Sequence, residues 1–63
     1  MSDRILREAE CKAATGLGRT TRYELEQRGE FPRRVRLTGN RCGWRESEIL
    51  AWIRSRQPVA PAA

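Results

Sequence analysis

The stretch Thr15-Gly-Leu-Gly-Arg-Thr-Thr-Arg-Tyr-Glu-Leu-Glu-Gln-Arg-Gly-Glu-Phe-Pro-Arg-Arg-Val-Arg-Leu37 decides the fold. It reads as a tight glycine turn, a short polar helix, a glycine stop and a basic strand. The helix spans about Arg19 to Arg28. Gly18 stands at its N-cap, a position where Gly serves less well than Ser by a few tenths of a kcal/mol. Leu25 is its clearest apolar residue. Arg28 suits the negative C-terminal end, and Gly29 stops the helix. Pro32 cannot continue a helix and biases Phe31 toward extended backbone.

Upstream, Glu8 to Thr15 reads as a first helix. Glu8 and Glu10 suit its positive end, and Leu6, Cys11 and Ala14 fall on one face. Gly16 ends it and Leu17 plugs the turn. Two short helices joined by a glycine turn of three or four residues make a helix-turn-helix pattern. Residues 1–4 read as a frayed lead.

Downstream, apolar residues alternate at Val35 and Leu37, and Gly39-Asn40 is a two-residue hairpin signal. A turn there pairs residue 38 with 41, 37 with 42, 36 with 43 and 35 with 44. Val35, Leu37, Cys42 and Trp44 then share an apolar face. Arg36, Thr38, Arg41 and Gly43 share the other, so the register agrees with the pleat. A third helix runs from Arg45 or Glu46 to Arg56, with Ile49, Trp52 and Ile53 as its apolar stripe. Glu46 and Glu48 start it, and Arg54 and Arg56 end it, as the helix dipole favours. The expected fold is mainly α with a small β-hairpin, a winged helix-turn-helix in the order helix, helix, hairpin, helix. The domain covers 1–56. The Pro/Ala tail 57–63 has nothing to bury and is expected to be disordered.

Size and charge narrow the function. The chain has 63 residues, with 13 Lys+Arg against 8 Asp+Glu and a net charge of +5. Twelve of the cations are Arg, the better bidentate partner for phosphates and guanine edges. A domain this small buries only roughly 60% of its unfolded surface and holds a stability of roughly 3–5 kcal/mol. An enclosed active site has little room. No nucleophile–base pair, phosphate loop or metal set stands out, so neither enzyme activity nor a cofactor is expected. Two Cys without any His fall short of the usual four zinc ligands. Both read as buried, reduced core residues. No apolar run approaches the ~18 residues of a membrane span. No signal core follows the N-terminus. A cytoplasmic, nucleoid-associated protein is expected.

The candidate DNA-binding residues are Arg19, Thr20, Thr21, Arg22 and Tyr23 on the second helix, and Arg33, Arg34, Arg36, Asn40 and Arg41 on the wing. A helix opening Arg-Thr-Thr offers donors to a groove, and wing arginines offer charge to phosphates. Trp44 and Trp52 read as core. Leu50 is a candidate contact between copies on adjacent sites. An RNA-binding or protein-interaction module is the remote alternative. RNA readers usually display stacking aromatics on a sheet, whereas the basic face here has none.

Three pieces together resemble the AlpA family. They are Thr15-Gly-Leu-Gly-Arg-Thr-Thr-Arg-Tyr-Glu-Leu25, Arg28-Gly-Glu-Phe-Pro32 with Val35-Arg-Leu37, and Gly43-Trp-Arg-Glu-Ser-Glu-Ile-Leu-Ala-Trp-Ile53. The resemblance runs over roughly residues 4 to 56. These are small phage and mobile-element DNA-binding regulators with a MerR/excisionase-like winged helix. The resemblance implies a transcription regulator, or an excisionase that bends DNA for an integrase partner. It implies that the second helix enters the major groove through Arg19, Thr20, Thr21 and Tyr23. It also implies that the hairpin meets the neighbouring minor groove or backbone. Three positions depart from the family pattern. Gly18 replaces a usual Ser, Arg22 a usual Ile or Leu, and Glu8 a position often apolar or capping. Arg22 either points outward to phosphate or lays its stem over the core with its head in water.

Overall fold

Glycines and a proline punctuate the first half of the molecule where the sequence places them. The computed structural model describes residues 3–59. Its elements are β1 (Ile5–Leu6), α1 (Glu8–Thr15), α2 (Arg19–Gln27), β2 (Val35–Thr38), β3 (Arg41–Arg45) and α3 (Glu46–Arg54). α1 closes on Gly16 at φ 74°, whose N–H donates to the Lys12 carbonyl at 2.8 Å. At its start, Glu10 Oε1 accepts the Arg7 backbone N–H at 3.1 Å. Gly18 is the N-cap of α2 and supplies no side-chain bond. α2 ends one residue earlier than expected, with Arg28 as its C-cap. α3 ends at Arg54 rather than Arg56, with Ser55 capping.

The sheet has a third strand that the sequence reading lacks. Its order is β1-β3-β2, all antiparallel. β1 pairs Ile5 with Arg45 and Leu6 with Trp44. Leu6 and Trp44 thereby join Cys11, Phe31 and Ile49 in the core, with Leu25, Trp52 and Ile53 packed against it. Phe31 meets Trp52 edge-on at a centroid distance of 4.9 Å. Trp52 Nε1 donates to the Glu30 carbonyl at 2.8 Å, which holds the segment before the wing against α3. Ala14, expected on the core face of α1, is exposed. This architecture is a winged helix-turn-helix.

The hairpin register is corrected. Thr38 pairs with Arg41 as expected, but Arg36 pairs with Cys42 and Val35 with Gly43, and the ladder shifts between Arg36 and Thr38. Leu37 sits at that irregularity and is 39% exposed. The expected apolar face of Val35, Leu37, Cys42 and Trp44 does not form, and Cys42 is only half-buried. Two physical causes act together. β3 must place Trp44 opposite Leu6 of β1, which sets its orientation independently of β2. Near the tip no core lies beneath the ribbon, so burial does not enforce a register. The turn Gly39-Asn40 sets it instead, with Gly39 at φ 52°.

The lead is tied down rather than frayed at residues 3 and 4. The Arg4 carbonyl accepts the Glu46 N–H at 2.7 Å. The Asp3 carboxylate accepts the Ser47 N–H at 3.0 Å and the Ser47 hydroxyl at 2.7 Å. Asp3 thus caps α3 from 44 residues away in the chain. Those Ser47 bonds, side chain first and then backbone, hold the Asp3 carboxyl below its ordinary pKa against slight desolvation, helped by Arg45. A carboxylate lowered in this way stabilises the fold above its unfolded pKa. The contribution is lost as pH falls through the folded value. Asp3→Ala therefore lowers the thermal midpoint at neutral pH, and the gap to wild type narrows in acid. Thermal melts at two pH values check this; a gap independent of pH would reject the ionic cap. Residues 57–59 continue past α3 without regular structure. The rest of the expected tail, 60–63, and residues 1–2 lie outside the described residues.

Candidate nucleic-acid interface

α2 turns one stripe inward and the rest to solvent. Arg22, Leu25 and Glu26 are its buried and half-buried positions, spaced i, i+3 and i+4, which puts them on one helical face. Arg19, Thr20, Thr21 and Tyr23 are left exposed. The first turn of α2 therefore offers the groups that the sequence assigns to DNA.

Arg22 does not join them. It is 2% exposed. Its Nε donates to the Leu17 carbonyl at 3.0 Å, and Nη1 donates to Glu8 Oε1 at 3.2 Å. Nη2 donates to the other Glu8 oxygen. The guanidinium carbon lies 5.4 Å from the Trp44 ring centroid, within cation–π range. Neither alternative from the sequence holds. The head neither reaches outward to phosphate nor sits in water; it is buried and paired. The cause lies in Glu8 and Arg22 together. The two departures from the family pattern face each other and form a fork-to-fork ion pair. Arg22's hydrogen bonds lower the Glu8 pKa against a smaller desolvation effect, with the charges of Arg22, Arg19 and Lys12 adding to the shift.

The wing arginines Arg33, Arg34, Arg36 and Arg41 and the turn residue Asn40 are all exposed. The structure does not gather them at one point. Arg34 turns back to α2, with Nε 3.6 Å from Glu26 Oε2 and its guanidinium carbon 5.8 Å from the Tyr23 ring centroid. Arg19, Thr20, Tyr23 and Arg34 line one cleft of about 480 Å³, completed by Glu8, Arg22 and Trp44. Arg7 lines an adjoining hollow with Arg19 and Arg34. Arg33 borders a different groove, beside Arg45, Glu48 and Trp52. Arg36, with Asn40 and Arg41, stands farther out on the hairpin.

Sequence reasoning missed Arg7, and it missed Glu8 and Glu26 as organisers of the arginines. The signal for Glu8 was present, since two departures from one family pattern invite a pairing test. Both cysteines are free. Burial pushes the Cys11 thiol pKa up, opposed by the neighbouring Arg22, so it stays a protonated thiol in the core. Among the described residues no cluster of three or more His, Cys, Asp or Glu could hold a metal ion. Among them, too, no helix is long and apolar enough to cross a membrane.

Comparison with known proteins places the chain. A profile of the family described as "Prophage CP4-57 regulatory protein (AlpA)" matches residues 4–57. The chain is also 44% identical over 54 residues to a protein of Enterobacteria phage P4 named "Uncharacterized protein ORF88". That match covers 86% of this chain and 61% of the phage protein. The chain thus spans less than two thirds of that relative's length. With the family match running from the lead before β1 to beyond the end of α3, the chain belongs to the AlpA family of prophage regulatory proteins.

Proposed function

We propose that this protein is a sequence-specific double-stranded DNA-binding transcription regulator of a phage or mobile element. The observation that carries the reading is the cleft where the exposed first turn of α2 meets Arg34 at the root of the wing. α2 enters the major groove, with Arg19, Thr20 and Thr21 at base edges and phosphates. Tyr23 and Arg34 sit at the flanking backbone, and Arg33, Arg36, Asn40 and Arg41 extend along it. Phosphate contacts set register, while base-edge contacts carry sequence. The family's description as regulatory supports control of transcription. A single module of this kind covers only about 600–1,000 Å² of interface. Useful specificity then calls for further copies on adjacent sites.

Selection from random-sequence duplexes followed by footprinting tests the reading, with a reporter carrying the selected site as the functional assay. Failure to enrich any duplex sequence sinks it. The salt dependence gives a sharper expectation. About six neutralised phosphates produce a slope of log K against log[salt] near −5. Arg36→Ala and Arg41→Ala each weaken binding almost equally on all sequences and reduce the slope by about one. Thr21→Ala changes base preference and leaves the slope in place. Slopes unchanged in the arginine variants would remove the wing from the interface.

A further inference from the structure

We propose that Glu26 is a positioning residue for DNA binding, holding Arg34 at the cleft so that its free edge meets a backbone phosphate. The inference rests on the DNA-binding reading above and deepens it. An acidic side chain would then strengthen the grip on a polyanion.

The geometry has three parts. Glu26 belongs to the inward stripe of α2, and its side chain is only 12% exposed. It is therefore a fixed point rather than a mobile surface charge. Arg34 presents Nε to that carboxylate at 3.6 Å and lays its guanidinium over Tyr23. Arg34 also borders the cleft shared with Arg19 and Thr20. An arginine has five N–H donors in a planar fork. With the Nε edge toward Glu26, Nη donors remain for a second, bidentate partner. Arg33, Arg36 and Arg41 have no such carboxylate among the described residues.

Position in the chain makes the anchor useful. Arg34 lies between Pro32 and the first residue of β2, outside the ladder. Its backbone is less constrained than that of Arg36, and its side chain has several rotatable bonds. Glu26 and Tyr23 restrict the head before DNA arrives, so less freedom is lost on binding.

The test turns on a sign. Neutralising an acidic residue on a DNA-binding protein ordinarily tightens binding through net charge. Glu26→Gln is expected to do the opposite. Anisotropy with a fluorescein-labelled mixed-sequence duplex, across a salt series, should show binding weaker by roughly threefold or more. The salt slope should fall by about one unit. Glu24→Gln makes the same charge change at an exposed position of the same helix and should tighten binding or leave it unaltered. In an Arg34→Ala background, Glu26→Gln should weaken binding no further. Arg34→Lys keeps the charge without the fork and should bind almost as poorly as Arg34→Ala. Wild-type-like binding by Arg34→Lys overturns the proposal, and so does wild-type or tighter binding by Glu26→Gln. Equal weakening by Glu26→Gln with and without Arg34 overturns it as well. If the wild-type protein itself shows no salt-dependent duplex binding, the DNA-binding reading falls and takes this inference with it. Wild-type binding combined with a tight Glu26→Gln variant removes the positioning role alone.

Discussion

Alanine at position 43 is expected to remove most of the domain's stability and to lower its thermal midpoint sharply. A methyl group on Gly43 would lie 2.5 Å from Ile5 Cγ2 and 2.9 Å from the Leu6 carbonyl oxygen. The Ile5 side chain can rotate away. The Leu6 oxygen cannot, because it belongs to the backbone of β1, paired to β3 through Ile5–Arg45 and Leu6–Trp44. Relief requires moving β1 off β3. That movement withdraws Leu6 from the core, and it strains the Arg4 and Asp3 contacts that cap α3. Overpacking alone costs about 1–3 kcal/mol. With the cap and Leu6 loosened, the total approaches about 3 kcal/mol, against a stability of roughly 3–5 kcal/mol for a domain of this size. Gly18→Ala is the matched control, since a methyl there meets nothing within 4 Å and Gly18 has ordinary negative φ. Gly18→Ser adds the missing cap and should raise the midpoint slightly. Circular dichroism melts and urea titrations read all three. A Gly43→Ala protein melting close to wild type would reject the close packing of β1 on β3.

The contrast between Gly43 and the glycines of the helix-turn-helix shows what a sequence makes legible. Gly16, Gly18, Gly29 and Pro32 act on their own neighbours in the chain, so helix ends could be read from them to within a residue or two. The reason for Gly43 lies 38 positions away in the chain, at Ile5. β1 has two residues, too few to display alternation. Without it, nothing in the wing's sequence revealed that β3 serves two neighbours. The apolar–polar alternation of Val35 to Leu37 then suggested a register that the three-stranded sheet does not adopt. The exposed first turn of α2 was legible because that stretch is polar. Arg22 was not, since residue type sends an arginine outward and its partner stands 14 positions earlier on another helix. Glu26 was hidden by the same rule.

Glu8 and Arg22 should respond very differently to substitution, and the asymmetry identifies which of the two the fold depends on. Arg22 carries a charge that is almost wholly removed from water, balanced by Glu8, by the Leu17 carbonyl and by the Trp44 ring. Glu8→Gln keeps the shape and removes the counter-charge, leaving a guanidinium buried against a neutral amide. Stripping one partner from a fully buried pair costs about 3–5 kcal/mol. The Glu8 side chain is half exposed, and water can partly replace it, so a loss of about 1–3 kcal/mol is expected. Arg22→Leu takes the opposite course. The buried charge disappears, an apolar residue joins Leu25 on the inward stripe, and Glu8 remains solvated at the favourable end of α1. Replacing a buried ion by a packed apolar residue is often neutral or stabilising, so Arg22→Leu should stay within about 1 kcal/mol of wild type. Adding Arg22→Leu to Glu8→Gln should recover most of what the single change lost. Acid separates the variants further. Because the Glu8 pKa is lowered chiefly by Arg22's hydrogen bonds, the pair's contribution is complete above the unfolded carboxyl pKa. It disappears as pH falls through the folded value. Wild type should lose stability over that window, while Arg22→Leu should lose less. Urea titrations at neutral and acid pH measure both effects. A Glu8→Gln protein as stable as wild type would show that water rather than Glu8 balances the buried guanidinium, and an Arg22→Leu protein weakened as much as Glu8→Gln would show that the fold depends on the pair itself.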